Sequence, residues 1–256
     1  MEFFKQIIDI VCEYKWYLLS GVGDTMLLAL VGTVVGFLIG LLTGVIRTTP
    51  FSKNKVFRFF HKLVNVLIAI YIEVFRGTPM MVQAMVIYWG YAFINDGSTL
   101  PLIPAGLFIV SINTGAYMAE IVRGGIISVD KGQLEGAYAV GMTHTQAMLK
   151  VVIPQVLRNI LPSISNEFVI NIKDTSVLNV IGVTELYYMA GVIKRINLQT
   201  FQVYALVCVM YFILTFTVTR LLRFAEKKLE GSSSYTICGS GSDSNAVIHV
   251  KGETNA

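Results

Sequence analysis

The chain has 256 residues, a formal net charge of +4, 54% hydrophobic residues and only 14% charged ones, with a mean hydropathy of +0.65. Soluble domains carry nearer a quarter charged residues, so this composition excludes an ordinary soluble globular protein. It indicates an all-α integral membrane protein whose helices cross the bilayer in runs of about 20 apolar residues.

Residues 2–19 mix apolar and charged positions. Phe4, Ile7, Ile8 and Val11 can share one helical face, with Lys5, Asp9 and Glu13 away from it, which suits a helix lying on the membrane surface. The stretch lacks a basic segment followed by a small-residue cleavage site, so no cleaved signal peptide is expected. Residues 25–46 read as a first span. In it Gly32, Gly36, Gly40 and Gly44 recur every fourth residue and fall on nearly one face. Small residues in such a stripe let another backbone approach closely, and helix packing is preferred over a substrate path.

Residues 47–62 carry Arg47, Lys53, Lys55, Arg58 and Lys62 with no acid. By the positive-inside rule this loop is cytoplasmic, which puts the N-terminus outside. Residues 64–94 are hydrophobic but interrupted by Glu73, Arg76, Gly77, Thr78 and Pro79. As one helix they would be about 45 Å long, against a hydrocarbon core of roughly 30 Å. Each half is too short for its own span, so one long span broken near its middle is expected. Thr78 and Pro79 suit the cap and first turn of the second half. A helix N-terminus at mid-membrane favours an anion.

Residues 102–121 form the third span, with Asn113, Tyr117 and Glu120 as a polar stripe. Then comes a polar, Gly-punctuated segment, Gln133 to Pro154. It reads as a short helix, a turn at Gly141 where a Cβ is unwelcome, and a second helix capped by Thr143. Arg123, Lys131, Lys150 and Arg158 mark it as cytoplasmic. Residues 157–186 form an unusually polar fourth region. Glu167, Asn171 and Asp174 share one helical face there, and Pro162 and the Lys173–Ser176 run argue against a straight helix. Residues 187–200 are read as an external return, and residues 201–222 as the fifth span, ending in Arg220, Arg223, Lys227 and Lys228. The Ser/Gly-rich tail from 227 to 256 is expected to be cytoplasmic and disordered.

Other chemistry is thinly represented. Cys12, Cys208 and Cys238 are far apart and odd in number, which gives neither a disulfide framework nor a metal pattern. The sequence contains no Walker A stretch, no H-E-x-x-H and no dinucleotide fingerprint. Clustering of the basic residues by position reads as topology, not as nucleic-acid binding.

Ionisable groups inside a membrane cost at least about 2.5 kcal/mol each on insertion scales and are usually functional. Glu73, Arg76, Glu167 and Asp174 are the candidates. One reading makes them structural locks, Glu73 with Arg76 and Lys173 with Asp174. The other lines a polar path, where an arginine fork suits a carboxylate and carboxylates suit an ammonium; a zwitterion needs both.

The segment Glu135-Gly136-Ala137, three residues, Gly141, nine residues, Val151, one residue, Ile153-Pro154 resembles the EAA loop of ABC-importer permease subunits. Gly136 stands where that motif has Ala, at about 1 kcal/mol of helix propensity. Glu73-Val-Phe-Arg76-Gly-Thr-Pro79, Ala116-Tyr117-x-x-Glu120-x-x-Arg123-Gly-Gly, Asn166-Glu167-Phe168 and Lys173-Asp174-Thr175-Ser176 resemble the polar amino-acid branch of these permeases, the histidine/glutamine/arginine family. Together the motifs cover about residues 23–222.

The resemblance implies a type I ABC importer permease fold with five spans over residues 23–226. It places an extracytoplasmic N-terminal segment at 1–22 and a coupling loop at about 124–156, in a bacterial cytoplasmic membrane. It further implies a homo- or heteromeric permease dimer on two cytoplasmic ATPase subunits that carry the ATP and Mg, no cofactor on this chain, and an external amino-acid-binding protein. Glu135, Gly136, Ala137 and Gly141 would couple to the ATPase. Arg76 with Gly77, Thr78 and Pro79 would meet the substrate carboxylate, Glu73 its ammonium, and Glu167, Asn171 and Asp174 the side-chain end. Relatives with a cationic substrate have a small polar residue where this chain has Ile170, so arginine-type specificity does not follow. A stand-alone secondary transporter or channel explains the buried charges but not the docking loop. A membrane enzyme using Glu167 and Asp174 as acid and base lacks a nearby His, Cys or metal cluster.

Overall fold

The computed structural model describes residues 2–50, 54–230, 235–238 and 247–250. Lys53 and the rest of the C-terminal tail lie outside the described residues. The body is helical throughout. Among the described residues, four helices are long and apolar enough to cross a membrane, and a bent helix pair raises the number to as many as five.

Helix α1 (Glu2–Thr48) runs 47 residues with one non-helical residue, Tyr14. Tyr14 (φ −106°, ψ 18°) is a kink between two helices, so residues 2–13 form a short helix set off from the long one that follows. One face of this segment packs inward. Ile10, Tyr14 and Leu18 are buried against Leu186, Ala190 and Ile193 and against Val203, Leu206 and Val207. Phe4, Ile8 and Val11 are exposed. The segment thus carries apolar residues on two faces, one packed in the core and one turned outward.

Helix α4 (Leu102–Ser128) packs along α1. A Cβ added at Gly32, Gly36, Gly40 or Gly44 would come under 3.0 Å of Val110, Thr114, Met118 or Val122 respectively. Both series advance by four residues, so the two helices run in step at close backbone approach. The glycine stripe is a packing device, as its spacing suggested.

Helices α2 (Lys55–Gly77) and α3 (Met80–Ile94) are separated by Thr78 and Pro79 and bent by 113°. The break falls where it was expected, but the bend is far larger than a kink. Pro79 is the N-cap of α3 and not its first helical residue, and Thr78 closes α2, its hydroxyl donating to the Val74 carbonyl at 2.7 Å.

Helix α5 (Lys131–Ala139) starts on Asp130, whose carboxylate accepts from Gly132 N at 2.7 Å. Gly141 follows with φ +83°, the left-handed conformation that only glycine adopts cheaply. Thr143 and Gln146 then form a reciprocal capping box for the single turn α6 (His144–Ala147), which passes through a π-turn at Met148–Val152 into α7 (Ile153–Asp174). The helix–glycine turn–helix reading of this segment holds. Helix α7 continues through Pro162, against expectation, but ends at Asp174 inside the Lys173–Ser176 run, where it tightens to a 3₁₀ turn over Thr175–Ile181.

Residues 187–200 are mostly helix and not a simple return. Helix α8 (Leu186–Asn197) begins at Glu185, which is fully buried. Its carboxylate accepts from Tyr187 N, Tyr188 N and the Tyr211 hydroxyl at 2.7–2.8 Å. Thr184 donates to Asp24, and Leu186 N to Thr25, tying this corner to α1. Helix α9 (Thr200–Glu230) extends past 227, into the segment expected to be disordered. Further on, β1 (Tyr235–Cys238) pairs antiparallel with β2 (Val247–Val250). Both tetrapeptides are rich in β-branched and aromatic residues, a local preference that the Ser/Gly-rich composition of the tail obscured.

Candidate functional site

The two acids of 157–186, Glu167 and Asp174, come to the break between α2 and α3. A cavity of about 230 Å³ is lined by Thr78, Pro79 and Met80 from the break, Asn113 and Tyr117 from α4, and Glu167, Ile170, Asn171 and Asp174 from α7. It is smaller than the roughly 300–1,000 Å³ that holds drug-sized ligands, so it suits a small solute. The N-terminus of α3 opens here, and Pro79 supplies no side-chain cap. The first N–H groups of α3 thus offer positive polarity to the cavity.

A break this sharp leaves carbonyls of α2 without helical partners. Gln83, one turn into α3, resolves this. Its amide nitrogen donates to the Phe75 carbonyl, the Thr78 carbonyl and the Thr78 hydroxyl at 2.8–2.9 Å. Its oxygen accepts from Asn113 Nδ2 at 2.8 Å. Gln83 is buried, and sequence reasoning missed it. The available signal was its position: the one strongly polar side chain between Met80 and Ile94.

Other predicted residues are placed unevenly. Glu167, Asp174 and Thr78 line the cavity, as does Asn171. The amide of Asn171, however, is already engaged in part. Its nitrogen donates to the Thr33 hydroxyl at 2.7 Å and its oxygen accepts from the Thr114 hydroxyl at 3.1 Å. Asn171 therefore joins α1, α4 and α7 and keeps a second N–H and a second oxygen lone pair beyond these bonds. Arg76 does not line the cavity wall. Its guanidinium lies 5.5 Å from the ring centre of Tyr117, which does, a cation–π contact at the cavity's edge. Glu73 and Gly77 are exposed and stand outside the cavity. Glu73 lies about one helical turn before Arg76. Neither Glu73–Arg76 nor Lys173–Asp174 forms an ion pair among the described residues.

The ion pairs that do form centre on Glu120. It bonds Arg47 at the end of α1 and, at 2.7 Å, Arg123 one turn on. This clamp fastens α1 to α4 near the start of the coupling segment. In that segment Glu135 and Gly136 are exposed and Ala137 is buried. A Cβ at Gly136 would meet nothing within 4 Å, so glycine is not required there sterically.

Residues 36–231 match the family model described as binding-protein-dependent transport system inner membrane component. The chain belongs to this family. Its similar relatives are amino-acid ABC permeases, and it is a multi-pass membrane permease, not an enzyme. The glutamine transport system permease protein GlnP of Escherichia coli strain K12 is 34% identical over 213 residues, 83% of this chain and 93% of the relative. The L-cystine transport system permease protein TcyB of Bacillus subtilis strain 168 is also 34% identical, over 87% of this chain and 91% of the relative. A crystal structure of an amino acid ABC transporter with histidines superposes with a TM-score of 0.73 at 35% identity, covering 85% of this permease and 96% of that chain. An inward-facing MetNI methionine ABC transporter shares the fold at a TM-score of 0.63 and 19% identity. The permease thus has the type I importer fold that its motifs implied.

Proposed function

We propose that this permease moves polar amino acids across a bacterial cytoplasmic membrane by alternating access, with its N-terminus outside and its C-terminus inside. ATP and Mg are bound by two partner ATPase subunits. A second permease copy or homologue completes the path, and an extracytoplasmic binding protein delivers the solute. One observation carries the reading: the uncapped N-terminus of α3 and the carboxylates of Glu167 and Asp174 line the same small cavity. A zwitterion carries the two charges that such a pair of ends recognises. Its carboxylate would take the α3 end with Arg76 at the rim, and Glu167 and Asp174 would face a polar or cationic group. Transport of glutamine or cystine by relatives supports a polar cargo. The α5 segment with Glu135, Ala137 and Gly141 would transmit ATPase closure to α7, which follows it directly in the chain.

ATP hydrolysis in lipid nanodiscs tests this. The permease is co-expressed with its operon's ATPase and mixed with the binding protein and a panel of amino acids. Stimulation by one or two polar amino acids is the expected result. Uptake driven by an ion gradient with no ATPase bound would overturn it.

A further inference from the structure

Two adjoining cavities of about 240 and 270 Å³ lie between α7 and α9. They share Val169, Thr219 and Arg223, so they form one groove. Its polar lining is basic: Lys173, Arg220 and Arg223, with Glu226 the one acid, at one end. None of the three cations has an ion pair among the described residues. Arg220 rests its guanidinium 4.9 Å from the ring centre of Phe216. Phe212 and Phe216 line the groove and are largely exposed. The apolar window of α9 is only 17% buried within the protein, so this face meets either lipid or another chain.

We infer that this groove binds the headgroup of an acidic phospholipid, with its phosphate between Arg220 and Arg223 and an acyl chain along Phe212 and Phe216. Arginine forks match phosphate oxygens in geometry and charge. The basic run Arg220, Arg223, Lys227 and Lys228 puts this end of α9 at headgroup depth on the side where anionic lipids attract such residues. Residues 212 and 223 are about 16 Å apart along a helix, the distance from headgroup into the acyl region. A second copy docked groove to groove would set the same three cations against each other, which like-charge repulsion opposes. The assignment is independent of the solute carried at the other face of α7.

Native mass spectrometry of the full chain in detergent, with equimolar phosphatidylglycerol and phosphatidylcholine, tests it. The chain is expected to retain phosphatidylglycerol preferentially. Arg220→Gln with Arg223→Gln is expected to lower that preference on the order of 30-fold. Arg220→Lys with Arg223→Lys is expected to keep most of it, as is Lys55→Gln with Lys62→Gln in the other basic segment. Arg223→Gln alone is expected to lower it several-fold and stands in if the double variant does not fold. Equal retention of both lipids, an unchanged double glutamine variant, or displacement by inorganic phosphate at equal concentration would each overturn the inference. So would cross-linking of Thr219→Cys to a second copy, in a chain with Cys12, Cys208 and Cys238 replaced by Ser.

Discussion

Gln83 and Asn113 are 30 residues apart in sequence and bonded at 2.8 Å in a buried setting. The bond orients the Gln83 amide so that its nitrogen faces the carbonyls left open where α2 ends. The break in the span is thus held open by a side chain on its far arm, braced from α4. Gln83→Glu keeps the shape but removes both donor hydrogens and sets a carboxylate against two carbonyls. Each buried group left unpaired costs about 1–3 kcal/mol. The variant is expected to melt several degrees lower in detergent and to lose amino-acid-stimulated ATPase activity. A wild-type melting curve and activity would refute the brace.

Glu167→Gln and Asp174→Asn leave the cavity's volume almost unchanged and remove its negative charge. If these carboxylates face a cationic group, its transport falls by about 10- to 100-fold, the effect of losing a charged hydrogen bond. Binding of the same amino acid to the delivery protein stays unchanged. Uptake assays with neutral and cationic amino acids separate the two roles, because neutral cargo is expected to suffer less.

Gly40 sits where any Cβ would collide with the backbone of Met118 and Ala119. Neither neighbour can move without shifting α4. Gly40→Val is expected to destabilise the helix pair by about 1–3 kcal/mol, the usual range for overpacking. Gly23→Ala, at a position with nothing within 4 Å, serves as the tolerated control. Thermal unfolding of both purified variants provides the comparison.

In the coupling segment the two glycines have opposite expectations. Gly141→Ala forces a side chain into φ +83° at a cost of roughly 1–2 kcal/mol and is expected to reduce ATPase co-purification. Gly136→Ala enters open space and gains about 1 kcal/mol of helix propensity, so coupling is expected to be retained or strengthened. Pull-down of the ATPase with each variant distinguishes them.

Glu120→Gln keeps a hydrogen bond to one arginine and loses the charge that holds both. The pairs are partly exposed, so the stability change is expected to be below about 1 kcal/mol and to shrink as salt is raised. A large, salt-independent loss of stability would show that the clamp carries more than its charges.

The break at 77–79 was legible because Pro79 lacks an N–H and Gly77 and Thr78 add no helix preference. The glycine stripe was legible because its period is the helix's own. The coupling turn was legible for both reasons, with Gly141 and Thr143 each having one favoured use. Gln83 was not, since a lone glutamine in an apolar run says nothing about which carbonyls it will meet. Helix α8 was lost because a lone Glu185 does not announce itself as a cap; its burial depends on Tyr211, 26 residues on, which only the fold brings near. The second apolar face of residues 2–19, Ile10, Tyr14 and Leu18, was not legible because its partners on α8 and α9 are brought near only by the fold. Asn171 shared a helical face with Glu167 and Asp174, yet that periodicity carries no information about Thr33, 138 residues away.

Three consecutive residues of α4 each hold a different neighbour. The Ile112 carbonyl accepts from the Tyr71 hydroxyl of α2 at 2.6 Å, Asn113 holds Gln83 of α3, and Thr114 holds Asn171 of α7. Less than one turn of a single helix is thus the common fulcrum for every wall of the cavity. A motion that opens the cavity to one side of the membrane must rotate these arms about that point, since sliding any of them along α4 would break its polar tethers there. Residues 112–114 should therefore be nearly stationary while the ends of α2, α3 and α7 swing, and the distance changes between outward- and inward-open states should grow with distance from that level.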